Sequence, residues 1–395
     1  MAEQIALGFG DNIDYEIVWD PAVYEDLIVR YGIRAQELSS DGAIHSERDL
    51  VVSILSFVQS GAGGERFVAS SAIVERFAQR FENKITLGGT SVRAAIAMRK
   101  LGYTSALHLS TINDHVRRLI PQDSPYVCSN TQDTLYPHLI VQFDKGARVR
   151  AGDIELVAAR ANRIIYHNDA DNIAMRISED FADLVSEAKV FLVSGFNAMQ
   201  SEALLVERLE SVERIMARLP KNALVFYEEA GFYEPRFSRL IHARLAGKVD
   251  IVSLNEDEMQ DFLGGKLGLL DAVPIGEALA DLYQLIPAPV IVVHAMYWAL
   301  AYGENATQFA RALKGGVTMA TTRFCFGDEF TVDNYRAVEA LPPSAEGAAF
   351  AATLEGLLDG RVCCVPVACV EQSNATTIGL GDAFVGGFLP ALLPE

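Results

Sequence analysis

The sequence predicts an α/β protein with a mostly parallel central sheet flanked by helices and a smaller inserted lid. Three observations predict it. From residue 189 onward, short apolar runs alternate with longer amphipathic ones, as successive βα units do. The short runs are almost continuously apolar, which strands covered on both faces require. Distinctive polar residues fall where those strands end, and ligands on such sheets bind at the carboxyl ends of the strands.

The first strand is the apolar run at 4–8. It breaks into Gly8-Phe9-Gly10-Asp11-Asn12-Ile13-Asp14. That turn imitates a dinucleotide-binding GxGxxG loop, but Ile13 stands where the third glycine would be needed. Its acids and amide suit sugar hydroxyls better. Between about 15 and 80 the pattern changes. A strand-like stretch is followed by amphipathic helices at 21–31, 46–58 and 70–81, separated by Gly- and Ser-rich breaks. One break, Gly61-Ala62-Gly63-Gly64-Glu65, places one acid among glycines; it reads as a flexible loop or as a ligand contact. A strand then enters Gly88-Gly89, where Thr90 or Ser91 can cap an Ala-rich helix. Extended pieces at 104–110 and 136–143 follow, then the segment 161–172. The regular part begins with strand 189–195 and helix 199–218, then strand 223–228 and the helix after it. Next come strand 249–254 with its helix, helix 276–285 and strand 289–293. Helix 344–358, strand 361–365 and a closing helix after Gly379 end the chain. Residues 1–13, 83–123 and 167–395 are assigned to the large unit, and 14–82 and 124–166 to the lid.

Composition excludes several classes. The formal charge is −19, from 33 Lys+Arg against 52 Asp+Glu. Nucleic acid and anionic membrane both demand positive surface, so neither is an expected partner. The five cysteines are odd in number and form no CxxC pair, which argues against a disulfide framework or a zinc site and fits a reducing cytoplasm. The N-terminus lacks the basic start and longer apolar core of a signal peptide. The longest apolar run, 288–302, is broken by Pro289 and His294 and reads as two buried strands around a turn.

The chemistry gathers around Gly379-Leu380-Gly381-Asp382. Glycines there let backbone approach a bound group, and the helix that follows offers unpaired N–H groups and the positive end of its dipole, a place for an anion. Asp382 stands beside it as a group able to take a proton from an acceptor hydroxyl. The alternative is that Asp382 only caps the helix. Phosphoryl transfer needs positioning and electrostatic stabilisation more than covalent help, so amides, one acid and a metal suffice. Asn255 and Glu258, with the spacing NxxE, open a helix after a buried strand. They can hold Mg²⁺ or its waters through hard oxygen donors, or form a capping box. Glu228 ends the neighbouring strand and offers a further oxygen to the same metal.

These motifs resemble the ribokinase-like sugar kinases, whose GxGD signature is similar to 376–388 and whose NxxE motif is similar to 253–259. Further segments resemble one branch, the ADP-dependent glucokinases and phosphofructokinases: GDNIDY, GAGGE, LGGTSVRAAIA, ANRIIYHNDADN, VSGFNAMQ, YEEAG and VVHAMYW, in order along most of the chain. The resemblance implies a ribokinase-like fold, ADP as donor and AMP release. It implies Asp382 as catalytic base, Gly379, Leu380 and Gly381 as anion hole, and Glu228, Asn255 and Glu258 at Mg²⁺. It places Asn12, Asp14, Glu65, Gly88 and Gly89 on the sugar, and His294 and Gly379 at the nucleotide. In this family a Glu at position 65 goes with glucose rather than fructose 6-phosphate. Three positions depart from the pattern. Phe226 replaces the HxE histidine, Thr90 follows Gly88-Gly89 where the family has Asn, and 383–387 is closer to ATP-dependent members. The resulting expectation is an ADP-dependent sugar kinase acting on glucose. A 6-phosphofructokinase, an ATP-dependent sugar or nucleoside kinase, and a non-catalytic sugar- or nucleotide-binding protein are the alternatives.

Overall fold

A computed structural model describes residues 3–370 and 376–394. The chain opens with β1 (Ile5–Leu7) and β2 (Asn12–Ile17), then helices α1 (Pro21–Tyr31) and α2 (Glu47–Ser60). Strand β3 (Gly64–Phe67), α3 (Ser71–Ala78), β4 (Asn83–Gly88) and α4 (Thr90–Lys100) follow. Next come β5 (Ala106–Leu109), α5 (Asp114–Leu119), β6 (Tyr126–Cys128), β7 (His138–Phe143), the hairpin β8 (Arg148–Ala151) and β9 (Ile154–Val157), and β10 (Asn162–His167). After the short helices α6 (Ala170–Ala174) and α7 (Phe181–Leu184), the βα series runs β11 (Val190–Val193), α8 (Glu202–Met216), β12 (Leu224–Glu228), α9 (Arg236–Leu245), β13 (Ile251–Asn255) and α10 (Glu256–Leu263). It continues with α11 (Ala272–Leu285), β14 (Val290–His294), β15 (Trp298–Gly303), α12 (Ala310–Phe326), α13 (Val332–Glu339), α14 (Ala345–Leu358), β16 (Val362–Pro366) and α15 (Leu380–Phe388).

Nine strands form the large sheet in the order β16-β15-β14-β13-β12-β11-β1-β5-β6. Its pairs are parallel except β14–β15 and β15–β16. The antiparallel β14–β15 pair is the turn expected within 288–302. Val190–Val193 and Ile291–Val293 are buried, as apolar runs between two helical layers must be. One core, built around Phe191, Val193, Leu254 and Trp298, fills one face. A second, around Leu192, Phe226, Val292 and Phe384, fills the other.

A second sheet of five strands, β3-β10-β7-β2-β4, has its own core with α1, α2 and α3, including Tyr24, Leu55, Phe77 and Phe143. Asn83–Gly88, grouped above with the large unit, is the edge strand of this second sheet, paired antiparallel with β2. Gly64–Phe67, read above as a Gly-rich break, is a strand paired in parallel with β10. The long helix α12 has no counterpart in the sequence reading. Cys128, Cys363, Cys364 and Cys369 are free thiols. Among the described residues no helix is long and apolar enough to cross a membrane.

Candidate active site

The site lies where the carboxyl ends of the large sheet face the second sheet. Register fixes its floor: Asn255 ends β13 directly beside His294 at the end of β14, and Glu228 ends β12 beside Ser253. Gly379, in the left-handed region at φ 63°, turns the chain into α15, and Ala383 N–H donates to its carbonyl at 3.0 Å. The first N–H groups of α15 are left for a ligand.

All the residues named above as candidates line one cavity of about 290 Å³: Asn12, Asp14, Glu65, Gly88, Gly89, Glu228, Asn255, Glu258, His294, Gly379, Leu380, Gly381 and Asp382. A second, more apolar cavity of about 550 Å³ adjoins it, lined by Met296, Tyr297, Val317, Phe324 and Phe384 among others. Arg163, Asn255, His294, Leu380 and Gly381 border both. Asp382 lines only the smaller one. His294 stacks on Phe384 with centroids 4.7 Å apart.

At the mouth of the smaller cavity, Asn12 Nδ2 donates to Asp14 Oδ1 at 2.6 Å, and Arg93 Nη2 donates to Asp14 Oδ2 at 2.7 Å. Arg93 Nε lies 3.8 Å from Asp382 Oδ2. One buried guanidinium therefore spans the candidate sugar residue and the candidate base. Gly89 is needed for its backbone: φ is 90°, and a Cβ there would sit 2.6 Å from the Gly10 carbonyl. Glu65 Oε1 lies 2.8 Å from His167 Nε2. The His167 ring stacks on His138, centroids 4.5 Å apart, and His138 Nε2 is 3.1 Å from Asp169 Oδ2. Burial pushes the Glu65 carboxyl up, but the bond and charge of His167 outweigh it and hold it below the usual range. Burial lowers His138, and Asp169, Asp14 and Glu65 more than reverse that.

At the floor, Asn255 Oδ1 accepts from Asp257 and Glu258 N–H at 2.8 and 2.9 Å, and Glu258 Oε2 accepts from Asn255 N–H at 2.8 Å. This is the capping box, and both side chains also line the cavity. Burial, then the charges of Glu228 and Glu229, push Glu258 up to about 8. Glu228 Oε1 meets His294 Nε2 at 3.0 Å, while Oε2 is buried without a partner. His294 is lowered by burial but raised overall by Glu228. Phe226, two residues earlier on the same face of β12, packs on Phe388, so the imidazole that Glu228 meets is His294. Among the described residues no three His, Cys, Asp or Glu side chains are grouped to hold a metal.

Sequence reasoning missed His138, His167 and Arg163. Arg163 borders both cavities, and burial lowers it. The only signal was its segment, 161–172, singled out without a role. Among other cations, Arg93 lines the cavity, Lys100 donates to the Asp328 and Phe330 carbonyls, and Arg148 lies in the β8–β9 hairpin.

The family model described as the ADP-specific phosphofructokinase/glucokinase conserved region matches residues 3–389. The ADP-dependent glucokinase of Bos taurus is 27% identical over 228 residues, 55% of this chain and 44% of that protein. The match thus spans less than half the length of that curated relative. A phosphofructokinase from Pyrococcus horikoshii OT3, solved with AMP, superimposes with TM-score 0.76 at 17% identity, covering 99% of this chain and 97% of that one. An ADP-dependent kinase complexed with fructose 6-phosphate and ADPβS gives 0.74 at 14% identity, covering 98% and 94%. Adenosine kinase from Sinorhizobium meliloti gives 0.52 at 14% identity, covering 98% and 86%. At these identities the structures speak to the fold.

Proposed function

We infer the function from one premise: the chain belongs to the ADP-specific phosphofructokinase/glucokinase family. The reading is a kinase that moves the β-phosphoryl group of ADP onto a sugar hydroxyl and releases AMP. One observation carries it. Two cavities meet at the 379–382 turn, and the acid of that turn faces only the smaller one. The larger, apolar cavity suits a nucleoside. The smaller, lined by Asn12, Asp14 and Glu65, suits a sugar. The shared Gly381 and Leu380 amides then face the phosphoryl group in transit.

Asp382 accepts the proton of the attacking hydroxyl as the O–P bond forms and the bond to AMP breaks. Arg93 aligns Asp382 with Asp14, so base and sugar are oriented by one group. Arg163 reaches the border from the second sheet and suits the phosphoryl charge, which makes that sheet with α1, α2 and α3 a lid over the site; unlike the sequence grouping, it includes Asn83–Gly88 and excludes Tyr126–Cys128, which pairs into the large sheet. His294, stacked on Phe384, walls the nucleotide side.

The floor fits a divalent cation. Glu228 carries an orphaned oxygen, and Glu258 is hard to ionise among like charges. Glu228 would hold Mg²⁺, and Asn255 and Glu258, whose oxygens are engaged in capping, would hold its waters. When bound, the ion supplies charge neutralisation at the phosphates.

Glucose is the acceptor this site favours. Glu65 is kept ionised by His167, so it takes hydrogen bonds from hydroxyls and repels a sugar phosphate. The test is AMP release from ADP and Mg²⁺ with glucose, fructose 6-phosphate and other sugars, repeated with ATP while adenylate kinase is inhibited. Asp382→Ala should cost on the order of 10²–10⁴ in kcat and leave ADP binding in place. AMP appearing with no sugar, or a near-normal rate in Asp382→Ala, would sink the reading.

A further inference from the structure

We propose that Asp328, acting through Arg323, is a positioning residue that ties the anion-binding turn to the edge of the second sheet at Lys84. The proposal rests on reading that turn as the phosphoryl site. Arg323 stands in the last turn of α12 and is buried. Its Nε donates to the carbonyl of Ile378, the residue before Gly379, at 2.7 Å. Its Nη1 donates to Asp328 Oδ1 at 2.5 Å. The other Asp328 oxygen accepts from Lys84 Nζ at 2.6 Å. Lys84 lies on β4, whose last residue, Gly88, lines the smaller cavity.

The turn is only partly packed from behind. A cavity of about 240 Å³ lies behind it, bounded by Gly379 and Ala383 on one side and by Lys84, Lys100 and Phe330 on the other. Ala383 packs with Ala97, Met319 and Phe330, while the residue before Gly379 is held by the polar bond to the Ile378 carbonyl. The segment that carries Asp328 is pinned twice from the large unit. Arg323 holds its carboxylate, and Lys100 Nζ on α4 donates to the carbonyls of Asp328 and Phe330 at 2.6 and 2.9 Å. Lys84 is the contact from the second sheet, and its side chain is 52% exposed. Of the three ties it is the one that can open when the second sheet moves away. Burial would raise the Asp328 carboxyl, but Arg323 and Lys84 hold it far below the usual range, so it stays charged. A charge that must be shared between Arg323 and Lys84 makes the pull on Ile378 depend on where the second sheet stands.

The test compares wild type with Asp328→Asn, Lys84→Met and Lys84→Arg. Hydrogen exchange over residues 376–388 should speed up in Asp328→Asn and Lys84→Met, with β13 and β14 unaltered. kcat should fall on the order of tenfold in Asp328→Asn, as a displaced phosphoryl site predicts. It should fall about threefold in Lys84→Met, the effect of losing a half-exposed ion pair, with KM for ADP within about twofold of wild type. Lys84→Arg should restore both readouts. Raising salt to about 0.5 M should speed exchange in wild type and not in Lys84→Met. Unaltered exchange over 376–388 in Asp328→Asn overturns the proposal. So does a lower melting temperature with exchange and kcat unchanged, or Lys84→Arg behaving like Lys84→Met. If wild type releases no AMP with any sugar, the functional reading fails, while the exchange result still decides the tie.

Discussion

Asp11 gives a sharp prediction because its carboxyl should be neutral in the fold where the unfolded chain ionises it. It sits in the turn between β1 and β2 and is fully buried. Its Oδ1 accepts the Ser110 and Thr111 N–H groups at 2.6 and 2.9 Å, and its Oδ2 has no partner. Burial raises the carboxyl, the two amides pull it down, and the charges of Asp169 and Asp171 raise it again, to about 7 from 3.8. Between these two values the native state keeps a proton that the unfolded state has lost. Stability is therefore complete below the unfolded value and falls as pH rises toward the folded one, by about 1.4 kcal/mol per pH unit. From pH 5 to pH 7 the cost is roughly 2–3 kcal/mol. Asp11→Asn keeps an acceptor for both amides, puts NH₂ where the acid O–H was, and does not titrate. Other titrating groups are common to both proteins and cancel in the difference. The difference in melting temperature between the pair should move by about 3 °C in favour of the variant from pH 5 to pH 7. Parallel melting curves across that window would show that Asp11 is already ionised at pH 5 and refute the reasoning.

Other positions give further tests. Gly89→Ala places a Cβ against the backbone of Gly10 and Asp11 at φ 90°, so it should cost about 1–3 kcal/mol in thermal stability and raise the sugar KM; an unchanged melt and KM would contradict the close approach. Glu65→Gln keeps the shape and removes the charge, so kcat/KM for glucose should fall about 10–100-fold, whereas a rise in activity on fructose 6-phosphate alone would reassign the acceptor. Arg163→Met should weaken ADP binding by at least about tenfold in titration calorimetry, and unchanged affinity would remove Arg163 from the phosphates.

The large sheet was legible because strands covered on both faces have little choice but apolar runs, and Val190–Val193 and Val290–His294 carry that signature plainly. Helix α12 was not legible. Its buried residues interleave Leu313, Val317 and Met319 with Gly315, Gly316, Thr318 and Thr322, because α15 approaches closely: a Cβ on Gly315 would lie 2.5 Å from the Gly387 carbonyl. Small residues carry a packing instruction without a hydrophobic period. The strand Gly64–Phe67 was hidden for a related reason. Its glycines favour a loop locally, and pairing with β10, about a hundred residues away, overrides them. The site residues at strand ends were readable from the alternation, since topology brings such ends together. The partners that orient them were not. Nothing in the sequence joins Glu65 to His167 or Asp14 to Arg93, because those pairs exist only once the second sheet has formed.

The same geometry explains how a chain with net charge −19 can take an anionic nucleotide. Arg93 is the most buried cation of the site, yet it is committed to Asp14, Glu16 and Asp382. Arg323 is committed to Asp328 and the Ile378 carbonyl. Neither can neutralise a phosphate without abandoning a carboxylate, so both act on position rather than on charge. His294 is engaged by Glu228. What remains for the phosphates is Arg163, lowered by burial and therefore gaining from an anion beside it, and the open amides at the start of α15. Arg163 comes from the second sheet and the amides from the large unit. On the proposed reading, neither unit alone offers enough positive potential, and the phosphoryl group is held where the two meet, at the border between the cavities.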